Sequence, residues 1–252
     1  MKSIAEFRDI HKGKDIWVIA AGPSMNFIMP SFFENKITLG INRVCIKFDC
    51  DYLVSKDGRG FSSIASQITA DTKIILSKHE SGNLHQEVNE FKGEHWIFEH
   101  PPKPNENPEL SCLKRESEKI VVSYSTITSG IHLAAFMGAK NIMICGHDCG
   151  TIDGQSTILK YYENVKPHHD TNAAYISWLS LIEGHTALVA QTLAHTYGCN
   201  IHSLNPFINL NIEGHSYIPS NRGRILQRSF STDEERRPTI EHNKNVSTGE
   251  TK

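Results

Sequence analysis

Short apolar runs without polar alternation recur along the chain, and they constrain its fold more than any other feature. Ile16–Ala20 (IWVIA) is the first, followed by Ile37–Asn42, Tyr52–Ser55, Lys73–Leu76, Trp96–Phe98, Asn141–Cys145 and Ile201–Leu204. A strand with one wet face alternates apolar and polar residues. A continuous run suits a strand covered on both faces, as in a mostly parallel sheet. Helical patterns fall between the runs. Ser129–Met137 is apolar and is followed by Gly138, and Asn172–Tyr197 carries Ile176, Leu179, Leu188 and Leu193, with Gly184 as a break and Gly198 as the stop. The alternation predicts an α/β fold: a Rossmann-like, mostly parallel, doubly wound sheet with a lid excursion.

Three stretches interrupt this pattern. Residues 99–118 hold Pro101, Pro102, Pro104 and Pro108 with few apolar anchors, which predicts an excursion or flap. Residues 150–171 are polar and carry Tyr161, Tyr162, His168 and His169, the composition of a lid. From Ser229 the chain is charged and nearly free of apolar residues, so one domain over 1–228 with a disordered tail over 229–252 is expected.

Composition removes several function classes. The 252 residues carry 26 Lys+Arg against 28 Asp+Glu, a formal charge of −2 without the basic excess of a nucleic-acid binder. No run approaches the roughly 18 apolar residues of a membrane span, and the N-terminus lacks the apolar core of a signal peptide. The six cysteines lie partly in apolar runs, where reduced Cys packs as a small hydrophobe, so a cytoplasmic protein is expected. Cys145 and Cys149 are spaced for a metal, but no second Cys/His pair lies at zinc-ribbon distance.

The candidate site residues fall at the ends of the apolar runs. Gly22, Pro23 and Ser24 follow the first, where small residues let a ligand approach the backbone and Ser24 can cap a helix or meet a phosphate. There is no Walker motif, so a phosphate would rest on backbone amides. Asn42 and Asp57 each close a later run with one polar group; singly, each reads as a turn-former. Thr128, Ser129 and Gly130 open an apolar helix and could serve as its cap or as anion donors. Gly146, His147 and Asp148 follow the run NIMIC, and Asp148 is placed for a ribose hydroxyl, an amine or a metal. In an open parallel sheet all of these would share the rim where ligands bind.

The order GPSM, GINR, a strand ending in SKD, then TSG and MGAKNIMICGHD resembles the MptE-like domain family, named for an archaeal 6-hydroxymethylpterin diphosphokinase. It is similar also to the bacterial family-42 sialyltransferases, which share the GPS start, the Asn and the TSG helix. The likeness spans about residues 10–215. It implies a Rossmann-like fold and a nucleotide-bearing donor, with Gly22, Pro23 and Ser24 near the donor phosphate and Asn42 and Ser129 on the nucleotide or sugar. The sialyltransferase general base is a His in a Gly-His-Ser/Thr segment, which corresponds here to His185 in Gly184-His185-Thr186. Its lid tyrosines correspond to Tyr161 and Tyr162. Thr126 stands where that family carries Arg, a departure that leaves the donor sugar open.

A neutral imidazole can take the proton of an attacking hydroxyl. At a helix start, the dipole would favour that neutral form in His185. The bland alternative is a histidine packed at a helix start.

The expected activity is transfer of a sugar, by inversion, from a CMP-type nucleotide donor to a glycan or other hydroxyl acceptor, with no cofactor. The alternative is an ATP pyrophosphokinase acting on a pterin-like alcohol, which would need Mg²⁺ on Asp57 and Asp148. A non-catalytic nucleotide-binding module is a third reading. No nucleic-acid partner is expected, and a homo-oligomer is left open.

Overall fold

In the computed structural model, the described residues are 2–56, 64–78, 93–101, 108–152, 155–163, 172–205 and 226–229. The apolar runs become strands nearly where the sequence places them. They are β1 (Lys2–Ser3), β2 (Asp15–Ile19), β3 (Ile37–Ile41), β4 (Tyr52–Ser55), β5 (Lys73–Ser77), β6 (His95–Phe98), β7 (Asn141–Cys145), β8 (Asn200–Asn205) and β9 (Leu226–Ser229). Two long helices accompany them, α1 (Thr126–Phe136) and α2 (Asn172–Tyr197).

The strands form one sheet in the order β1-β6-β5-β4-β3-β2-β7-β8-β9. Every pair is parallel except β8–β9. From β2 the chain steps outward through β3, β4, β5 and β6, then returns to lay β7 on the other side of β2. Ile16 therefore pairs with Ile37 on one flank and with Ile142 on the other. Such a reversal opens a crevice at the carboxyl ends of the two strands.

Both faces of the sheet are covered, as the unalternating runs require. Ile16, Val18, Leu39, Val54, Ile142 and Ile144 point to one side and pack with Ile131, Leu133 and Phe136 of α1 and Val189 and Leu193 of α2. The intervening residues point to the other side. There Ile19 and Cys145 meet Met25 and Val44 from 3₁₀ turns and Phe48, while Leu53, Leu76 and Ile64 form a separate cluster. Each such fully buried aliphatic side chain contributes about 1.5–3 kcal/mol.

Four local expectations are corrected. Helix α1 begins at Thr126 rather than Ser129, because the Ser125 hydroxyl accepts from the Ile127 amide at 3.4 Å and caps it. Gly184 does not break α2. A helical glycine costs only about 1 kcal/mol, and burial of Leu179, Val189 and Leu193 offsets it.

The proline-rich stretch does not stay out as a flap over its described part. Cys112, Leu113, Ile120, Val121 and Val122 return to the core, and Glu99 bridges to Lys119. Residues 102–107 lie outside the described residues. The start of the expected lid also packs down, with Ile158 buried and its amide donating to the Ala21 carbonyl at 2.9 Å. Residues 164–171, with His168 and His169, and the tail over 230–252 lie outside the described residues. Ser229, the first residue of the expected tail, is the last residue of β9.

Candidate functional site

The sheet order sets the loops after β4, β3, β2 and β7 side by side on one rim. All four begin at carboxyl ends, which sets Ser24, Asn42, Ser55 and Asp148 on that rim.

At the switch point, the β2 and β7 loops interlock. The Gly22 amide donates to the Gly146 carbonyl at 2.8 Å. The Ser24 amide and hydroxyl each donate to one oxygen of the Asp148 carboxylate, both at 2.7 Å, and both residues are buried. A Cβ on Gly22 would stand 2.3 Å from that Gly146 carbonyl oxygen and 2.5 Å from Asp148 Oδ2, so only glycine fits. Gly146 has φ +69, and a Cβ there would lie 2.5 Å from the Ala20 carbonyl oxygen. Pro23 has no N–H. The amides of residues 22–24 are thus directed into the β7 loop.

Beside this latch, Asn42 opens the turn after β3 in the left-handed region, with φ +52. Asn and Asp tolerate this conformation better than other non-glycine residues. Its Nδ2 donates to Thr126 Oγ1 at 3.3 Å and its Oδ1 accepts from Ser55 Oγ at 3.0 Å. Asn42 therefore ties β3 to the end of β4 and to the first residue of α1. The next residue, Arg43, donates from Nε to the Tyr161 carbonyl at 2.8 Å. The rings of Tyr161 and Tyr162 stand edge to face, 4.9 Å apart. Burial raises the pKa of both phenols, that of Tyr161 the more strongly, so both stay neutral O–H donors.

The α1 hydroxyls lie deeper. Thr128 Oγ1 donates to the Ser125 carbonyl at 2.9 Å and Ser129 Oγ to the Val121 carbonyl at 2.7 Å, and both residues are fully buried. Because α1 starts at Thr126, the amides of Ser129 and Gly130 fall beyond the unpaired first turn. Gly130 meets the sheet, where a Cβ would come within 2.5 Å of Ile41 Cδ1.

His185 occupies the middle of α2 rather than a helix start, so the dipole argument does not apply to it. It is 6% exposed, and neither ring nitrogen has a hydrogen-bond partner among the described residues. A buried polar group without a partner is costly and calls for an explanation. Tyr124 stacks on the imidazole at 5.6 Å with 27° between the planes. Tyr124 also meets Trp178, at 5.0 Å and edge-on, two helical turns before His185. Burial, and then the nearby Lys56 charge, lower the His185 pKa, so the imidazole is neutral near pH 7.

Lys56, Ser55 and Tyr124 were not singled out for the site by sequence, and Thr126 only as the position where the sialyltransferases carry Arg. Ser55 and Lys56 directly precede Asp57 at the end of β4, which is the signal that could have found them. Tyr124 carries no pattern of its own. Asp57 lies outside the described residues. Among the described residues, no group of three potential metal ligands comes together, no disulfide joins the six cysteines, and no helix is long and apolar enough to cross a membrane.

No family model and no curated relative matches the chain, so the resemblance to the MptE-like domain family rests on the quoted motifs. Solved structures do overlay on it. The sialyltransferase CstII from Campylobacter jejuni, in complex with the substrate analogue cytidine-5'-monophosphate, is 13% identical over 77% of this chain and 81% of that one, with a TM-score of 0.44. The monofunctional α-2,3-sialyltransferase Cst-I from the same organism is 13% identical over 93% and 96% of the two chains, with a TM-score of 0.43. The MAf glycosyltransferase from Magnetospirillum magneticum AMB-1 is 10% identical over 96% of this chain and 41% of that one, with a TM-score of 0.46.

Proposed function

We propose that the chain is a nucleotide-dependent transferase: an inverting glycosyltransferase that moves a sugar from a CMP-type donor to a hydroxyl of a glycan acceptor. The observation that carries this reading is His185, a buried neutral imidazole stacked on Tyr124 near Lys56, with neither nitrogen partnered among the described residues. A general base needs a free lone pair and a neutral ring at working pH, and His185 has both. The order of the GPSM, GINR, TSG and GHD motifs supports the sugar-nucleotide chemistry.

In the proposed step, an acceptor hydroxyl gives its proton to a His185 ring nitrogen as its oxygen attacks the anomeric carbon. The bond from that carbon to the donor phosphate oxygen breaks, and the phosphate leaves with the electron pair. The neutral Tyr161 and Tyr162 hydroxyls are the donors for that developing charge. Gly22 and Ser24 contribute by fixing the β2 loop, since their amides are taken up by the β7 loop. No metal enters this scheme. The pyrophosphokinase alternative asks Asp148 to hold Mg²⁺, whereas its two oxygens accept from Ser24.

The test pairs binding with turnover. In a thermal-shift screen of CMP, UDP, GDP and ATP, each with and without Mg²⁺, CMP is expected to raise the melting temperature without metal. His185→Ala is expected to keep that shift and to lose about 10²–10⁴-fold in donor turnover. A shift by ATP alone, and only with Mg²⁺, would overturn the reading in favour of the kinase.

A further inference from the structure

Lys56 stands at the carboxyl end of β4, and its ammonium does not simply face water. It donates to the carbonyls of Ser123 and Tyr124, the latter at 2.9 Å. Those two residues form the approach to α1. The ring of the second is the one stacked on His185. A single side chain from the sheet rim thus fixes the backbone that carries the imidazole's aromatic neighbour.

We propose that Lys56 is a positioning residue for His185: its ammonium clamps the Ser123 and Tyr124 carbonyls, sets the Tyr124 ring against the imidazole and keeps a positive charge beside it. This assignment rests on the reading of His185 as the base. Among the described residues, two titratable groups are set against the imidazole. Lys56 comes from the loop after β4 and Tyr124 from the approach to α1. Glu183 sits two residues away on α2, at a spacing that turns it to another side of the helix. Lys56 is the group whose charge acts on the ring, in the same direction as burial.

The arrangement has a chemical consequence. A histidine that acts as base is useless once protonated, and a carboxylate neighbour would hold the proton on it. A fixed ammonium does the opposite and extends the neutral form to lower pH. Two carbonyl acceptors restrain that ammonium where a solvated lysine would swing away. Charge and geometry come from one residue, and the experiment reads the charge at the ring.

The His185 ring Cε1–H is followed by NMR across pH in the free protein, with His185→Gln used to assign the resonance. Wild type is expected to titrate below the ordinary histidine value of about 6.5. Lys56→Gln keeps an N–H donor for the carbonyls but drops the charge, and Lys56→Met drops both. Each is expected to move the midpoint up, while Lys56→Arg holds it near wild type. If Lys56→Met does not fold, Lys56→Gln carries the test.

A midpoint in Lys56→Gln equal to that of wild type overturns the assignment, even if the chain proves to be a transferase. A raised midpoint supports it, even if His185→Ala leaves turnover intact. The readout needs neither donor nor acceptor, so the two readings fail separately.

Discussion

Ser24 and Asp148 are 124 residues apart in sequence and joined twice, amide to Oδ2 and hydroxyl to Oδ1, both at 2.7 Å and both out of water. Charge-assisted bonds of this kind are worth about 1.5–3 kcal/mol each. Asp148→Ala is expected to destabilise the fold by about 3 kcal/mol and to lower the melting temperature by roughly 6–12 °C. Asp148→Asn keeps one acceptor and should lose less. Urea unfolding of the two variants beside wild type checks the order, and equal stability of Asp148→Ala and wild type would refute the latch.

The glycines on either side of that latch differ in kind from Gly184. Gly22→Ala drives a Cβ into a backbone carbonyl oxygen and a buried carboxylate, neither of which can swing aside. Gly146→Ala adds a positive φ to a similar clash. Each is expected to cost more than about 2 kcal/mol, in the range of overpacked cores and strained backbone. Gly184→Ala meets nothing within 4 Å and should stabilise α2 by up to about 1 kcal/mol. Thermal melts of the three variants would distinguish a tight loop crossing from a tolerant helix.

His132 predicts how stability follows pH. It is wholly buried on α1, its Nδ1 accepting from the Val121 amide at 3.0 Å and its Nε2 lying 3.2 Å from the Tyr197 hydroxyl. Burial, with Arg8 nearby, pushes its pKa down to about 3. Between the ordinary histidine value and about 3, the unfolded chain binds a proton that the folded chain refuses. Stability therefore falls as pH drops through that window, by on the order of 5 kcal/mol at its lower end. In His132→Gln the slope should be shallower and the neutral-pH stability lower, because the Val121 and Tyr197 partners are disturbed. Denaturant titrations from pH 7 to pH 4 check both.

The sheet was legible in the sequence because both of its faces are covered: IWVIA, ITLGI, YLVS and NIMIC could not form wet strands, and they do not. The shortest strand, Lys2–Ser3, and the antiparallel β9 carry no such run and were missed. Helix α1 was placed three residues late because its cap, Ser125, is one hydroxyl among several in Ser123–Ser129, and only packing selects it. Burial of one helix face carries α2 through Gly184, which no local signal reports. The convergence of site loops followed from strand ends, yet the partners of each group did not. That Ser24 faces Asp148 and Lys56 approaches His185 depends on which strands become neighbours, a long-range outcome with no local pattern.

The pairing of β2 with β7 also orders events in time. Asp15 lies against Asn141 and Ile19 against Cys145, so this pair of strands closes across half of the 252-residue chain. Contacts that distant are slow to form, because loop-closure entropy is lost before any burial is gained. During synthesis, β2 to β6 can leave the ribosome and pair while the β2 loop still lacks its Asp148 partner. Assembly of the rim must then wait for the return crossover, and the nascent chain presents an open edge on β2 until β7 arrives.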